Sequence, residues 1–291
     1  MRKPGRPRSG IVQGCVIAAS FLLLYWLERR RPLRGRVDDD TVHTARNFAM
    51  AALAATAVHF VEAPVVAPIA RFSATRRWGL VPRLGLPSPV ATLMSIVLLD
   101  YTLYLWHGLV HRVPFLWRFH LVHHLDRDVD ASTALRFHAG ELTMSIPWRA
   151  AQILAIGVSP SALSAWQTLT LLSVMFHHSN VRLPLAFERA ASLVLVTPRM
   201  HGIHHSIVHV ESESNFSSGL SLWDRMHGTL RLNIPQSAIT VGVPAYQSPE
   251  DEELSRALAL PLTHDRPSWT GPDGRQPVPF PASDPPATLV P

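Results

Sequence analysis

The sequence predicts an all-α integral membrane helical bundle of about four spans, one of them a hairpin, with a histidine-rich cap at one end. Three observations predict it. Apolar residues fill 47% of the 291 positions and charged residues only 16%, well under the quarter usual in soluble proteins. The apolar residues gather into four long runs flanked by arginines, turn residues or histidines. Histidines crowd the ends of those runs, five of them within the eighteen residues from His107 to His124 (HGLVHRVPFLWRFHLVHH).

Residues 11–27 carry no charge and follow a basic stretch (Arg2, Lys3, Arg6, Arg8). No small-residue cleavage site follows, and Arg29, Arg30 and Arg31 act as a stop, so this run reads as an uncleaved anchor. The run 48–70 is long enough to span but contains His59, Glu62, Pro64 and Pro68; its two ionisable residues, at i and i+3, are expected to face the bundle interior and pair. Residues 71–89, polar with Gly and Pro, read as an interfacial loop, and 90–106 as the third span. The fourth region, 145–176, breaks at Gly157-Val158-Ser159-Pro160. Histidines stand on both sides of it, so it is expected to enter the membrane and return, bringing His177 and His178 to the face that holds 107–124. A short amphipathic helix is expected at 249–260, with acidic residues in its first turn, and a disordered Pro-rich tail from His264 on. The chain thus divides into membrane anchor spans and a loop (1–89), a histidine-bearing region (90–235) and a C-terminal extension (236–291).

The formal charge of +6 and pI near 10.4 could suggest nucleic acid. The arginines flank apolar runs, however, and no reader motif occurs, so no nucleic-acid partner is expected. Basic flanks give a split vote on orientation: a cytoplasmic histidine face puts 29–36 inside, whereas the basic N-terminus and the arginines of 71–83 then lie outside. The single cysteine, Cys15, excludes an intrachain disulfide and a thiolate metal cluster. One lysine against 26 arginines, with much Ala and Pro, is the composition of a GC-rich bacterial genome and points to a bacterial inner membrane.

His107 and His111 are spaced i, i+4, so on a helix they share one face. His120, His123 and His124 form an HxxHH triple, and His201, His204 and His205 repeat it. At this chain's histidine frequency roughly 0.05 such matches would arise by chance, so two carry weight. Thr197 and Pro198 supply an N-cap and an N1 residue for a helix bearing the second triple. Neutral imidazole suits Zn, Cu, Fe and Ni alike. One ion rarely takes more than five or six protein ligands, whereas at least eight histidines converge, so two ions are the economical reading. Asp100, seven residues before His107, is placed either to orient a ligand imidazole or to close a polar contact at the membrane edge. His138 stands between ligand, ligand support and helix-end residue. His177, His209 and His227 read as structural or supporting groups. His43 and His264 read as solvated, Asp126, Asp128 and Asp130 as a solvated loop, and Trp106, Trp117 and Trp223 as membrane-interface residues.

HGLVH at 107–111, HLVHH at 120–124, RFHAGE at 136–141, FHHSN at 176–180, HGIHH at 201–205, and SNF with SLWDRMHGT across 214–229 resemble the fatty acid hydroxylase / sterol desaturase superfamily over about 95–230. The resemblance implies a di-metal centre, normally two Fe ions, on the cytosolic face of a small transmembrane bundle. It also implies O2-dependent hydroxylation or desaturation of a lipid C–H bond. Carried over by position, the ligands are His107, His111, His120, His123, His124, His178, His201, His204 and His205. His138, Asp100 and Asp224 are the candidates for a further part in catalysis, Asp224 and Glu141 more as hydrogen-bonding supports. Ala139 stands where bacterial relatives usually have Pro, and His227 where Phe is usual, which bears on substrate fit. The chain has no GxGxxG strand–helix unit and no haem-attachment motif, so electrons are expected from a separate ferredoxin- or cytochrome-type donor. The alternative is a zinc-dependent membrane lipid hydrolase using the same histidines.

Overall fold

The computed structural model describes residues 7–263, 266–281 and 289–290, with side chains from Gly10 onward. The chain begins with α1 (Pro7–Arg30). Its last turn is fixed by Glu28, whose carboxylate accepts from the backbone N–H of Ala131 and of Asn180, both at 2.8 Å. Helix α2 (Asp40–Ala57) starts at Asp39, whose side chain accepts from the N–H groups of Thr41 and Val42. A π turn, Val58–Glu62, joins it to α3 (Ala63–Arg76). Pro64 offers no N–H there, which accounts for the wider turn.

The π turn also corrects one expectation. Glu62 is buried and pairs with Arg149 at 3.3 Å, but His59 is exposed. The widened turn separates two residues that a regular helix would have kept on neighbouring faces. The 71–89 stretch is not a plain loop: α3 runs on to Arg76, and a short α4 (Leu80–Arg83) follows.

Helix α5 (Ser88–Arg112) ends at Val113, where Pro114 starts α6 (Pro114–His124); a residue before proline is pushed out of the helical region. After the loop that follows come α7 (Ala139–Met144), α8 (Ile146–Ile156) and α9 (Pro160–His178). The last two are the expected hairpin. Gly157 ends α8 at φ +86°, and Ser159 caps α9 through the N–H of Ala162. Three helical stretches are long and apolar enough to cross a membrane, Gly10–Arg30, Asp40–Arg83 and Ser88–Arg112. The hairpin expected as a fourth membrane region is not among these three stretches. An 11-residue arm covers only about 16 Å at 1.5 Å per residue, so α8 reaches partway and packs its Ile153 and Ile156 with Val66, Ala70 and Leu99. The fold is therefore an all-α membrane bundle.

The hairpin tip rests on Gly79. A β-carbon at Gly157 would strike Pro82 and the Trp78 carbonyl oxygen (2.6 Å), and both glycines have positive φ. Gly157→Ala is expected to cost about 2 kcal/mol or more, combining left-handed strain with overlap, and to lower the thermal midpoint in detergent. An unchanged midpoint would mean that the tip is not closely packed.

Past α9 the chain forms the cap from short pieces: α10 (Leu185–Ala191), α11 (Pro198–His204), α12 (His209–Ser212), α13 (Leu222–His227) and α14 (Leu254–Ala259). The segment expected as one helix at 249–260 is split. A 3-10 turn, Pro249–Glu252, is capped by Ser248 and Asp251, then Glu253 is extended before α14. The described part of the tail is a further correction. Residues 266–281 lie against the cap: Ser268 bonds to Trp117 Nε1 (3.1 Å) and to the Ala245 N–H, and Phe280 donates its N–H to Glu211. Proline-rich composition suggested disorder, but Trp269 and Phe280 anchor the segment. His264 lies outside the described residues.

Candidate metal centre

Two helix ends, a hairpin end and one short helix bring the histidines together. His107 and His111 close α5, His120, His123 and His124 close α6, His178 closes α9, and His201 and His204 lie on α11 with His205 just beyond. Thr197 caps α11 and Pro198 takes its first position, as the sequence suggests. All are nearly or fully buried. They sort into two groups, His107, His111, His120, His124 and His204 in one and His123, His178, His201 and His205 in the other, with donor atoms in each group within 4.8 Å of one another. The nine carried-over positions are the nine residues of these two groups.

The bonding of the outer ring nitrogens sets which nitrogen faces inward. His123 Nδ1 donates to the Arg136 carbonyl (3.2 Å) and His178 Nδ1 to the Val174 carbonyl (2.8 Å), which assigns a bare lone pair to each Nε2. Those two Nε2 atoms face each other at 3.0 Å, and His201 Nε2 is 3.0 Å and His205 Nε2 3.3 Å from His178 Nε2. Two bare lone pairs cannot hydrogen-bond to one another. Donors sharing one cation through bonds of about 2.1 Å stand roughly 3.0–3.4 Å apart, so the set fits a metal ion.

In the other group His107 Nδ1 donates to the Phe216 carbonyl (2.7 Å), His204 Nδ1 to the Ser214 carbonyl (2.8 Å), and His120 Nδ1 to Glu141 (2.9 Å). Their Nε2 atoms are buried without partners, as are both ring nitrogens of His124. Such orphans are costly in a finished interior, and a bound cation would satisfy them. Burial, reinforced by the neighbouring imidazoles, holds His123, His124, His201, His204 and His205 well below the ordinary 6.5. They are therefore neutral, the form that ligates.

Aromatic walls enclose the groups. Phe216 lies 5.1 Å from His111 and 5.6 Å from His204 between ring centres, Phe137 stacks on His123 at 4.5 Å, and Trp117 lies 5.0 Å from His111 and 5.4 Å from His124. Trp117 is thus a wall of the site, not merely a membrane-interface residue. Its spacing to His120 and His124, i+3 and i+7, would have placed it on their face. Trp269 stacks on Trp117 (5.3 Å) and His209 (4.5 Å), so the C-terminal segment closes this side. Glu213 stands 3.3 Å from His111 Nδ1 at the rim.

Three further candidates lie outside both groups. His138 is the N-cap of α7: its Nδ1 accepts from the Gly140 N–H (2.9 Å) and its Nε2 donates to the Leu258 carbonyl, so the helix-end alternative describes it. Asp100 does not reach an imidazole; it accepts from Trp223 Nε1 (2.7 Å) and the Leu220 N–H (3.0 Å). Asp224 accepts from the N–H groups of Phe216 and Ser217 and from Thr229 Oγ1, steadying the loop whose Phe216 carbonyl orients His107. The hydrogen bonds of both aspartates go to the 216–229 segment, and none goes to an imidazole.

The acidic stretch after α6 is also corrected. Asp126, Asp128 and Asp130 are buried, and so is His43, which had read as solvated. Asp126 accepts from His43 Nε2 (2.7 Å), Asn47 Nδ2 (3.0 Å), Thr133 Oγ1 (2.7 Å) and the Asp128 N–H (3.0 Å). Burial alone would raise this carboxyl; His43 and Arg136 overcome it and hold Asp126 well below the usual carboxylate range. The cluster ties α2 to the end of the first histidine triple.

Residues 92–229 match the fatty acid hydroxylase family. This segment belongs to that family. The fatty acid hydroxylase segment is similar to the ornithine lipid hydroxylase OlsE of Rhizobium tropici, 27% identical over 158 residues covering 54% of this chain and 46% of the relative. It is also similar to the alkylglycerol monooxygenase of Homo sapiens, 29% identical over 142 residues (49% of this chain, 31% of the relative). The cholesterol 25-hydroxylase of Mus musculus is 27% identical over 162 residues (54% and 53%). The chain spans about half or less of the length of these relatives. No solved structure matches.

Replacing Trp269 by alanine tests the closure of this segment. An aromatic pair contributes about 0.5–1.5 kcal/mol beyond its buried area, so metal removal by a chelator is expected to speed up about two- to tenfold with the metal content unchanged at the start. An unchanged removal rate would show that Trp269 does not close the site.

Proposed function

We propose that each histidine group holds one iron ion and that the protein is a membrane lipid hydroxylase, taking electrons from a separate donor protein. The observation that carries this reading is the sorting of nine buried imidazoles into a five and a four, with ring nitrogens converging within 4.8 Å in each. Bound there, a pair of iron ions would supply O2 activation and the two-electron oxidation of a lipid C–H bond. The protein's own part is to orient the rings through the Phe216, Ser214, Arg136 and Val174 carbonyls and to keep bulk water out with Phe216, Phe137 and Trp117. Glu213, whose carboxyl burial raises, is placed to pass protons between solvent and the rim beside His111. Hydroxylation is preferred to desaturation because the relatives are named hydroxylases and monooxygenases.

The same reading sets the cap on the cytoplasmic side of a bacterial inner membrane. Its support is the arginine cluster of 29–36 at the cap end of α1. The test uses detergent-purified protein, a reducing system and a lipid panel under 18O2. One 18O atom per product is the expected result. Turnover under nitrogen, with oxygen drawn from labelled water, would instead establish the zinc-dependent lipid hydrolase.

A further inference from the structure

Behind α11, on the side away from the histidine groups, lies a cavity of about 630 Å³. Arg34, Arg127, Arg182 and Arg199 line it together with Gln236 and Ser237. A second cavity of about 410 Å³, lined by Arg30, Arg31 and Pro32, shares Arg182 with it. We infer that the larger cavity is a binding site for a phosphoryl group, held by Arg34, Arg182 and Arg199.

The charge balance supports this. Arg127 is neutralised by Asp38 and Glu252, and Arg199 pairs through Nη1 with Glu188. Arg199 Nε nevertheless has no partner, although the residue is only 7% exposed. Arg34 is largely buried and donates only to neutral oxygens, Gln236 Oε1 at 2.7 Å and the Val129 carbonyl at 3.2 Å. Arg182 has no polar side-chain partner among the described residues. Of the three, only Arg34 is largely buried with no bonded carboxylate, Glu28, Glu188 and Asp128 acting on it from a distance; Arg182 is exposed and Arg199 keeps one unpartnered Nε, so donor capacity is left over in the cavity. Planar forked donors converging in a concave space match the tetrahedral oxygens of a phosphoryl group. The Ser237 and Thr240 hydroxyls on the wall add neutral donors.

A cavity this size suits a headgroup or a small phosphoester better than the broad face of a protein. Arg30 ends the α1 span and Arg31 follows it, which sets the smaller cavity at the depth expected for phospholipid phosphates. The site also touches the metal centre from behind. Gly202, between His201 and His204, leaves the space that Arg34 Nη1 and Gln236 Oε1 fill; a β-carbon there would meet both. An anion on Arg34 therefore bears directly on α11, which carries His201 and His204 and leads into His205.

The test titrates the full chain in dodecyl maltoside, at constant ionic strength, with inorganic phosphate and separately with short-chain phosphatidylglycerol. A short-chain glycolipid without phosphate is the control, and binding is read by calorimetry. Saturable binding of at least one phosphate-bearing probe is expected, weakened about tenfold in Arg182→Ala by loss of one charge-assisted contact and unchanged in Arg83→Ala, an exposed arginine at the opposite end. Arg182 is exposed, so its variant should fold; a thermal melt checks that. Binding of both probes identifies a site open to soluble phosphoesters, and binding of phosphatidylglycerol alone identifies a lipid headgroup site. The inference is overturned if neither probe saturates, if the glycolipid binds as well, if the two variants weaken binding equally, or if only an acidic protein binds.

Discussion

His204→Ala is expected to empty the five-histidine group while leaving the four-histidine group loaded. Metal content should fall from about two ions per chain toward one, and hydroxylation should drop by at least ~100-fold. The reason lies in the geometry. His204 Nε2 is a buried nitrogen without a partner, and its Nδ1 is committed to the Ser214 carbonyl, so no other group can take its place. The companion His123→Ala removes a member of the other group, whose Nε2 lies 3.0 Å from that of His178. The two single variants should each retain about one ion, and the double variant close to none. Elemental analysis of protein purified after iron-replete expression measures this directly. If either single variant lost both ions, the groups would be one coupled site. If the wild type bound none, the metal centre itself would be refuted.

Asp126→Ala is expected to have the largest effect on stability. The carboxylate is fully buried and accepts from His43, Asn47, Thr133 and the Asp128 N–H. Removing it strands four donors, one of them a histidine whose charge it balances. Breaking a buried pair in this way costs about 3–5 kcal/mol, enough to unfold many proteins of ordinary stability. Asp126→Asn keeps the shape and two lone pairs, and should cost clearly less. Thermal unfolding in detergent, read alongside the yield of folded protein, distinguishes the two. Equal losses from both variants would mean that shape, not the ionic hydrogen-bonded cluster, supports this corner. Asp126 lies two residues after His124, so the Ala variant should also lower metal content.

The parts of the fold visible in the sequence are those set by local spacing. The break at Gly157–Pro160 makes a hairpin because a left-handed glycine ends one helix and Ser159 with Pro160 starts the next. The HxxxH and HxxHH spacings place their histidines because each triple sits at a helix end. What spacing does not carry is partnership across the chain. His43 looks solvated because its partner, Asp126, is 83 residues away. Asp100 looks aimed at His107 because helical periodicity says which face a residue occupies and not what competes for it; Trp223 and Leu220, 120 and more residues downstream, both donate to its Oδ2. His59 is misread because a π turn changes the period on which the reading depends. The tail is misread because composition averages over the few aromatic anchors that decide its placement.

The C-terminal closure bears on the order of assembly. His205 is the last histidine of the two groups, whereas Trp269, which stacks over Trp117 and His209, is far later in the chain. During synthesis the helices that gather the imidazoles are complete while the closing tryptophan has yet to emerge. The chain order thus provides an open interval in which ions can enter from one side. Once the tail settles, an ion that has entered is retained by the finished wall, and an ion that arrives late must wait for the tail to lift.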